Sequence, residues 1–118
     1  MVYDPDFQGG SLHVLTYRYT GSGSNTKQSI FIIGDSISRV GTYRLTSTGG
    51  RVAIFLDRNR QSPCDQFIGG STIYTKGTLV ITRLDVQAGV LSGTFAFTLA
   101  QPGCDTVKVT QGRFDKKL

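Results

Sequence analysis

Cysteine, serine, histidine and aspartate are the residues here whose types and spacing have to be weighed for chemistry. Cys64 and Cys104 are the only cysteines. Each stands in a turn-like setting, Ser62-Pro63-Cys64-Asp65 and Pro102-Gly103-Cys104-Asp105. Two polar turns ending in the same Cys-Asp dipeptide are expected to meet, and in an oxidising compartment they would form one disulfide. Two separated cysteines and one histidine do not make a four-ligand zinc set, so neither a metal centre nor a cofactor is expected. All eight acidic residues are Asp, most of them in turns or at strand ends, where capping of backbone N–H groups explains them. A catalytic pair would need two of these carboxylates in one cleft.

A serine motif raises a second possibility. Phe31-Ile32-Ile33-Gly34-Asp35-Ser36-Ile37-Ser38 looks like the first block of the Gly-Asp-Ser-Leu esterases, in which an apolar strand delivers a serine nucleophile. Such a serine needs a base to take its proton and a carboxylate to orient that base. The one histidine, His13, precedes the motif, and no Asp-x-x-His follows it. Gly-Asp-Ser after a strand is also an ordinary turn, so no esterase is expected. His13 itself reads as a packed or surface side chain.

Binding chemistry is the remaining option. Tyr17, Tyr19, Tyr43 and Tyr74 are the candidate ligand-facing aromatics, with Phe31 and Phe55 beside them in the pattern. Aromatics on alternating strand positions are first of all core material. Thirteen basic against eight acidic residues give a net charge of +5. The densest group, Arg51, Arg58 and Arg60, is diluted by Asp57, so the clustered stripe of a nucleic-acid binder is missing. The segment Gly21-Ser22-Gly23-Ser24-Asn25 lacks the lysine and following helix of a phosphate loop.

The elements that must position these residues are strands. Residues 11–20, 27–34, 41–46, 51–57, 71–76, 77–85, 91–99 and 106–114 each carry a short apolar alternation, and no helical period of ten residues occurs. Ile30, Phe31, Ile32 and Ile33 are apolar on both parities, which predicts a strand that is central or covered on both sides. Residues 21–25 and 49–50 read as hairpin turns and residues 58–70 as the one long loop. The strongest hairpin is residues 89–115, where Leu91, Gly93, Phe95, Phe97 and Leu99 share one face. A parity change beside Gly112 predicts a bulge. The expected fold is all-β: one domain over residues 11–115, a single antiparallel meander of about eight strands closing as a barrel or flattened β-sandwich. Residues 1–10 read as a loose lead-in and 116–118 as a tail.

No apolar run is long enough to span a membrane, and residues 2–6 are polar and acidic where a signal peptide would be basic and then apolar. An exported parent protein would carry its leader upstream of Met1.

The order of motifs resembles an uncharacterised family of domains in exported lipoproteins of Bacteroidota-type bacteria. The matching stretches are Gly41-Thr42-Tyr43, then Gly77-Thr78-Leu79-Val80-Ile81-Thr82-Arg83-Leu84-Asp85. After them come Leu91-Ser92-Gly93-Thr94-Phe95-Ala96-Phe97 and Val107-Lys108-Val109-Thr110-Gln111-Gly112-Arg113-Phe114-Asp115. The resemblance implies an all-β domain, periplasmic or at the cell surface, anchored through a lipidated cysteine outside this segment. It supplies no catalytic residue. The expectation is therefore a non-enzymatic binding or structural module whose partner is a glycan or an envelope protein. A small-ligand carrier with a calycin-like barrel is the alternative, and an Asp-based hydrolase the third reading.

Overall fold

The protein's structure, a computed structural model, describes residues 1–19, 21, 27–68, 70 and 72–117. The loop read at residues 21–25 therefore lies, from residue 22 onward, outside the described residues. Nine strands are present: β1 (Val2–Asp4), β2 (Ser11–Tyr19), β3 (Lys27–Gly34), β4 (Gly41–Leu45), β5 (Arg51–Asp57), β6 (Gln66–Phe67), β7 (Tyr74–Asp85), β8 (Val90–Ala100) and β9 (Val107–Lys117). They form a five-stranded sheet ordered β1-β2-β3-β5-β6 and a four-stranded sheet ordered β4-β7-β8-β9, with every pairing antiparallel. The all-β expectation holds. The single meander closing as a barrel does not: no closed barrel is found among the described residues, and the arrangement is sandwich-like. The chain leaves the first sheet after β3 to lay down β4, returns for β5 and β6, and then crosses again into β7. The physical reason is that β3 pairs with β5 along seven residue pairs, Gln28↔Asp57 through Gly34↔Arg51, which displaces the five-residue β4 onto the edge of the other sheet.

One core fills the space between the sheets. Leu12, Ile32 and Phe67 face it from the first sheet and Leu79, Leu91 and Leu99 from the second, all fully buried. Ile37 and Ile73, in the connections before β4 and β7, are buried in the same core. The two expected strands over 71–76 and 77–85 are one strand, β7. Gly77 does not break it, because Gly77 lies opposite Phe97 and a Cβ there would come within 2.5 Å of that side chain. The same device recurs in β8 and β9. Gly93 lies across from Phe114 and Gly112 across from Phe95, and each ring occupies the space that a side chain on the glycine would need. The Gly-Thr-Phe-Ala-Phe and Gly-Arg-Phe motifs are thus one packing unit, with Phe95 stacked on Phe97 and on Phe114.

The bulge expected beside Gly112 is present. Phe95 pairs with Gly112 but Phe97 pairs with Val109, so β9 carries one extra residue over that step. Gln111 takes it up with φ 58°. Residues 2–4, inside the stretch read as a lead-in, pair with Ser11–His13 of β2. Tyr3 donates its hydroxyl to the Ile37 carbonyl. The long loop carries the short β6, whose Phe67 pairs with Phe55.

Candidate functional site

Cys64 and Cys104 are bonded to each other, with their Cα atoms 5.5 Å apart. The bond ties the loop after β5 to the β8–β9 turn and so joins the two sheets at one end. Gln101 reinforces it, its side-chain N–H₂ donating to the carbonyls of Pro63 at 3.2 Å and Gln66 at 2.9 Å.

The Gly-Asp-Ser motif is a turn. The Asp35 N–H donates to Gly50 O, the Ser36 N–H to Gln8 O and the Ile37 N–H to Gly10 O. His13 lies on the solvent side of β2, opposite Ile33. Other carboxylates cap turns as expected: Asp4 accepts from the Asp6 N–H and Asp85 from the Ala88 N–H, each at 2.9 Å.

The most built polar constellation lies at the end of the core nearest the disulfide, in a cleft of about 620 Å³. Ile30 and Phe55 form its floor, Arg18, Gln28 and Arg60 one wall, and residues 106–110 of the β9 side the other. Arg18 Nε donates to Gln28 Oε1 at 2.7 Å, and Gln28 Nε2 donates to Asp57 Oδ2 at 2.9 Å. Arg60 Nε sits 3.3 Å from the same carboxylate oxygen, and the Asn59 N–H donates to Asp57 Oδ1. The Arg60 guanidinium also lies over Phe55 and Phe67, at 5.5 and 5.8 Å from the ring centroids. Burial alone would raise the Asp57 pKa. The bonds from Gln28 and Asn59 and the nearby Arg60 charge outweigh it and hold the carboxyl below its ordinary value. A carboxylate held ionised and paired in this way is poorly suited to act as acid, base or nucleophile.

That depression has a sign that can be tested. The folded state binds the proton at Asp57 less readily than the unfolded chain does. The ion therefore contributes stability in full above the ordinary carboxylate range near pH 4, and loses it as pH falls through the lower folded value. Asp57→Asn is expected to cost about 1–2 kcal/mol at pH 7, because it places an amide N–H₂ against the donors Gln28 and Arg60. The gap from wild type should narrow as the pH falls below 4. Urea unfolding at a series of pH values reads this, and a gap independent of pH would refute the assignment.

The largest departure from an ordinary surface lies on the outer side of the five-stranded sheet. Leu12, Val14, Ile32, Ala53 and Phe55 point into the core, so the alternate residues point outward. In register across β1, β2, β3 and β5 these are Asp4 and Ser11 at one end; then Val2, His13, Ile33 and Val52; one step along, Leu15, Phe31 and Ile54; next, Tyr17, Ser29 and Leu56; last, Tyr19 and Lys27. Val2, Leu15, Tyr17 and Tyr19 are 65%, 50%, 56% and 61% exposed. Tyr17 and Tyr19 meet edge to face at 5.8 Å, and Lys27 Nζ sits 4.6 Å from the Tyr17 ring centroid. The other sheet's outer face is ordinary. Thr78, Thr94, Thr98, Arg44 and Lys76 dominate it, with Val80, Ala96 and the exposed Tyr74 among them, the mostly polar-out pattern of an antiparallel sheet.

The sequence model of the family described as Domain of unknown function (DUF6252) matches residues 16–116. This chain belongs to that family. No curated protein and no solved structure matches it.

Within the DUF6252 domain, the four candidate tyrosines do not converge on one cavity. Tyr17 and Tyr19 lie on the apolar outer face, and Tyr17 alone of the four also borders the cleft around Asp57. Tyr74 is exposed on the outer face of the other sheet. Tyr43, on edge strand β4, donates its hydroxyl to Arg39 O at 2.7 Å and lies 4.9 Å from the Arg51 guanidinium carbon. Among the described residues no three His, Cys, Asp or Glu side chains group together as metal ligands, and no helix is long and apolar enough to cross a membrane. The outer face is what residue-by-residue reading missed. Its signal was present in the apolar residues on both parities of β3 and β5, but alternation does not say which strands lie side by side.

Proposed function

We propose that this DUF6252 domain is a non-enzymatic binding module of an exported protein of the cell envelope, and that it works by protein contact through the outer face of its five-stranded sheet. The observation that carries this reading is the contrast between the two outer faces. One is mostly polar, its threonines, Arg44 and Lys76 interrupted by Tyr74 and Val80. The other holds contiguous Leu, Ile, Val, Phe and Tyr side chains that a solvated sheet would not select. The Cys64–Cys104 bond favours an oxidising compartment. The resemblance to exported lipoproteins favours the envelope and anchoring through a lipidated cysteine upstream.

The cleft around Asp57 favours a second reading, a small-ligand carrier. A thermal-shift screen against glycans and metabolites separates the two. A ligand present at 100 times its Kd stabilises a protein by about 2.7 kcal/mol, a shift of several degrees in Tm. The expected result is no such shift. A compound that raises Tm in the wild type but not in Arg18→Ala would move the function to the cleft.

A further inference from the structure

Resting on the reading of the outer sheet face as a docking surface, we infer that its occupant is a second copy of this chain, seated face to face on a twofold axis. Three observations point to it. The first is shape: the rows Leu15-Phe31-Ile54 and His13-Ile33-Val52 lie on a single sheet face. Sheet faces pack on sheet faces at about 10 Å separation with their side chains interdigitated.

The second is area. Leu15, Tyr17, Tyr19 and Val2 are each at least half exposed. Even with a whole aromatic side chain at roughly 150–250 Å², these four offer about 350–580 Å² at most, and the partly exposed Phe31, Ile33, Val52, Ile54 and Leu56 add to it, towards the roughly 800 Å² per partner of a standard stable interface.

The third is charge. The face carries Lys27 at the Tyr19 end, and His13 and the exposed Asp4 at the Val2 end, so the two ends are of opposite charge. A twofold axis running across the strands lays the Tyr19 end of one copy over the Val2 end of the other. The two Lys27 ammonium groups then stay apart, and the lysine stems and tyrosine rings cover apolar surface. Pairing through the sheet edge is the competing mode. At β9, one of the four edge strands, Lys108, Arg113, Lys117 and the bulge at Gln111 oppose it, and β1 and β6 are only three and two residues long.

Sedimentation velocity and light scattering on the disulfide-bonded protein test this. Loading runs from about 1 to about 100 µM, bracketing the weak end for interfaces of this size. Salt is held at about 0.15 M to screen the charge of +5 on each copy. The expected result is a species of twice 12.8 kDa at the upper concentrations. Leu15→Glu and Tyr17→Glu should each weaken dimerisation at least about tenfold, the effect of a buried unpaired carboxylate. Thr94→Glu, on the polar face of the other sheet, should leave it unchanged. Circular dichroism and the absence of free thiols confirm folding of each variant.

A wild-type monomer at about 100 µM, an upper bound beyond the micromolar class, overturns the inference. So does a dimer that survives Leu15→Glu, or one that Thr94→Glu disrupts equally. None of these outcomes depends on the cleft-ligand screen that decides the broader reading.

Discussion

Phe97→Ala is expected to destabilise the domain by about 3–5 kcal/mol, the range for truncating a buried aromatic ring. Phe97 is 3% exposed, stacks on Phe95 at 6.2 Å, and covers Gly77 of the neighbouring strand. Truncation removes the ring's transfer energy. It also opens a cavity that cannot collapse easily, because the strand opposite has only a hydrogen at Gly77. Loss on this scale is a large part of the stability of a domain this size, commonly 5–15 kcal/mol. Urea-induced unfolding by fluorescence and circular dichroism measures it. A loss below about 1 kcal/mol would mean that the ring contributes no more than a surface side chain.

Cys64→Ser is expected to rank next. On the chain-entropy model, opening a bridge between cysteines 40 residues apart costs about 3–4 kcal/mol. At roughly 3–5 °C per kcal/mol for a chain of this length, Tm should fall by about 10–20 °C in non-reducing buffer. Reductant should lower the wild-type Tm by a similar amount and leave Cys64→Ser unaffected. The loss has a local component as well. The Cys64 turn carries the chain into β6, whose Phe67 is fully buried against Phe55, and it accepts the Gln101 hydrogen bond. The β6 segment should therefore be first to lose amide-exchange protection when the bridge opens. Equal melting temperatures for variant and wild type would show that packing alone closes this end of the sandwich.

The Asp57 network and the outer sheet face illustrate two degrees of legibility. Asp57 was readable as a strand-end acid next to a group of arginines. Its partners Gln28 and Arg18 were not, because they reach it across β3 and β2 through pairings that local patterning does not encode. Gly77 shows the opposite error. Between two apolar runs a glycine reads as a break, yet here it makes room for a ring on the adjacent strand. Gly112 beside a parity change reads as a bulge and is one, since a change of face along one strand is a property of that strand alone.

Period-two alternation, many short apolar runs and turn residues at regular spacing determined by themselves that this chain is all-β, with a Gly-Phe-rich closing hairpin. The paired turn settings of Cys64 and Cys104 were enough to anticipate their bond. These are local properties, set by side-chain direction on a strand and by turn chemistry. Only the tertiary structure decided that the strands divide five and four between two sheets, because strand order depends on pairings between residues far apart in the chain. It alone also distinguished the two sides of the first sheet. Both parities of β3 and β5 are apolar, and only the position of the second sheet turns one of them into core and leaves the other, with Leu15, Tyr17 and Tyr19, facing solvent.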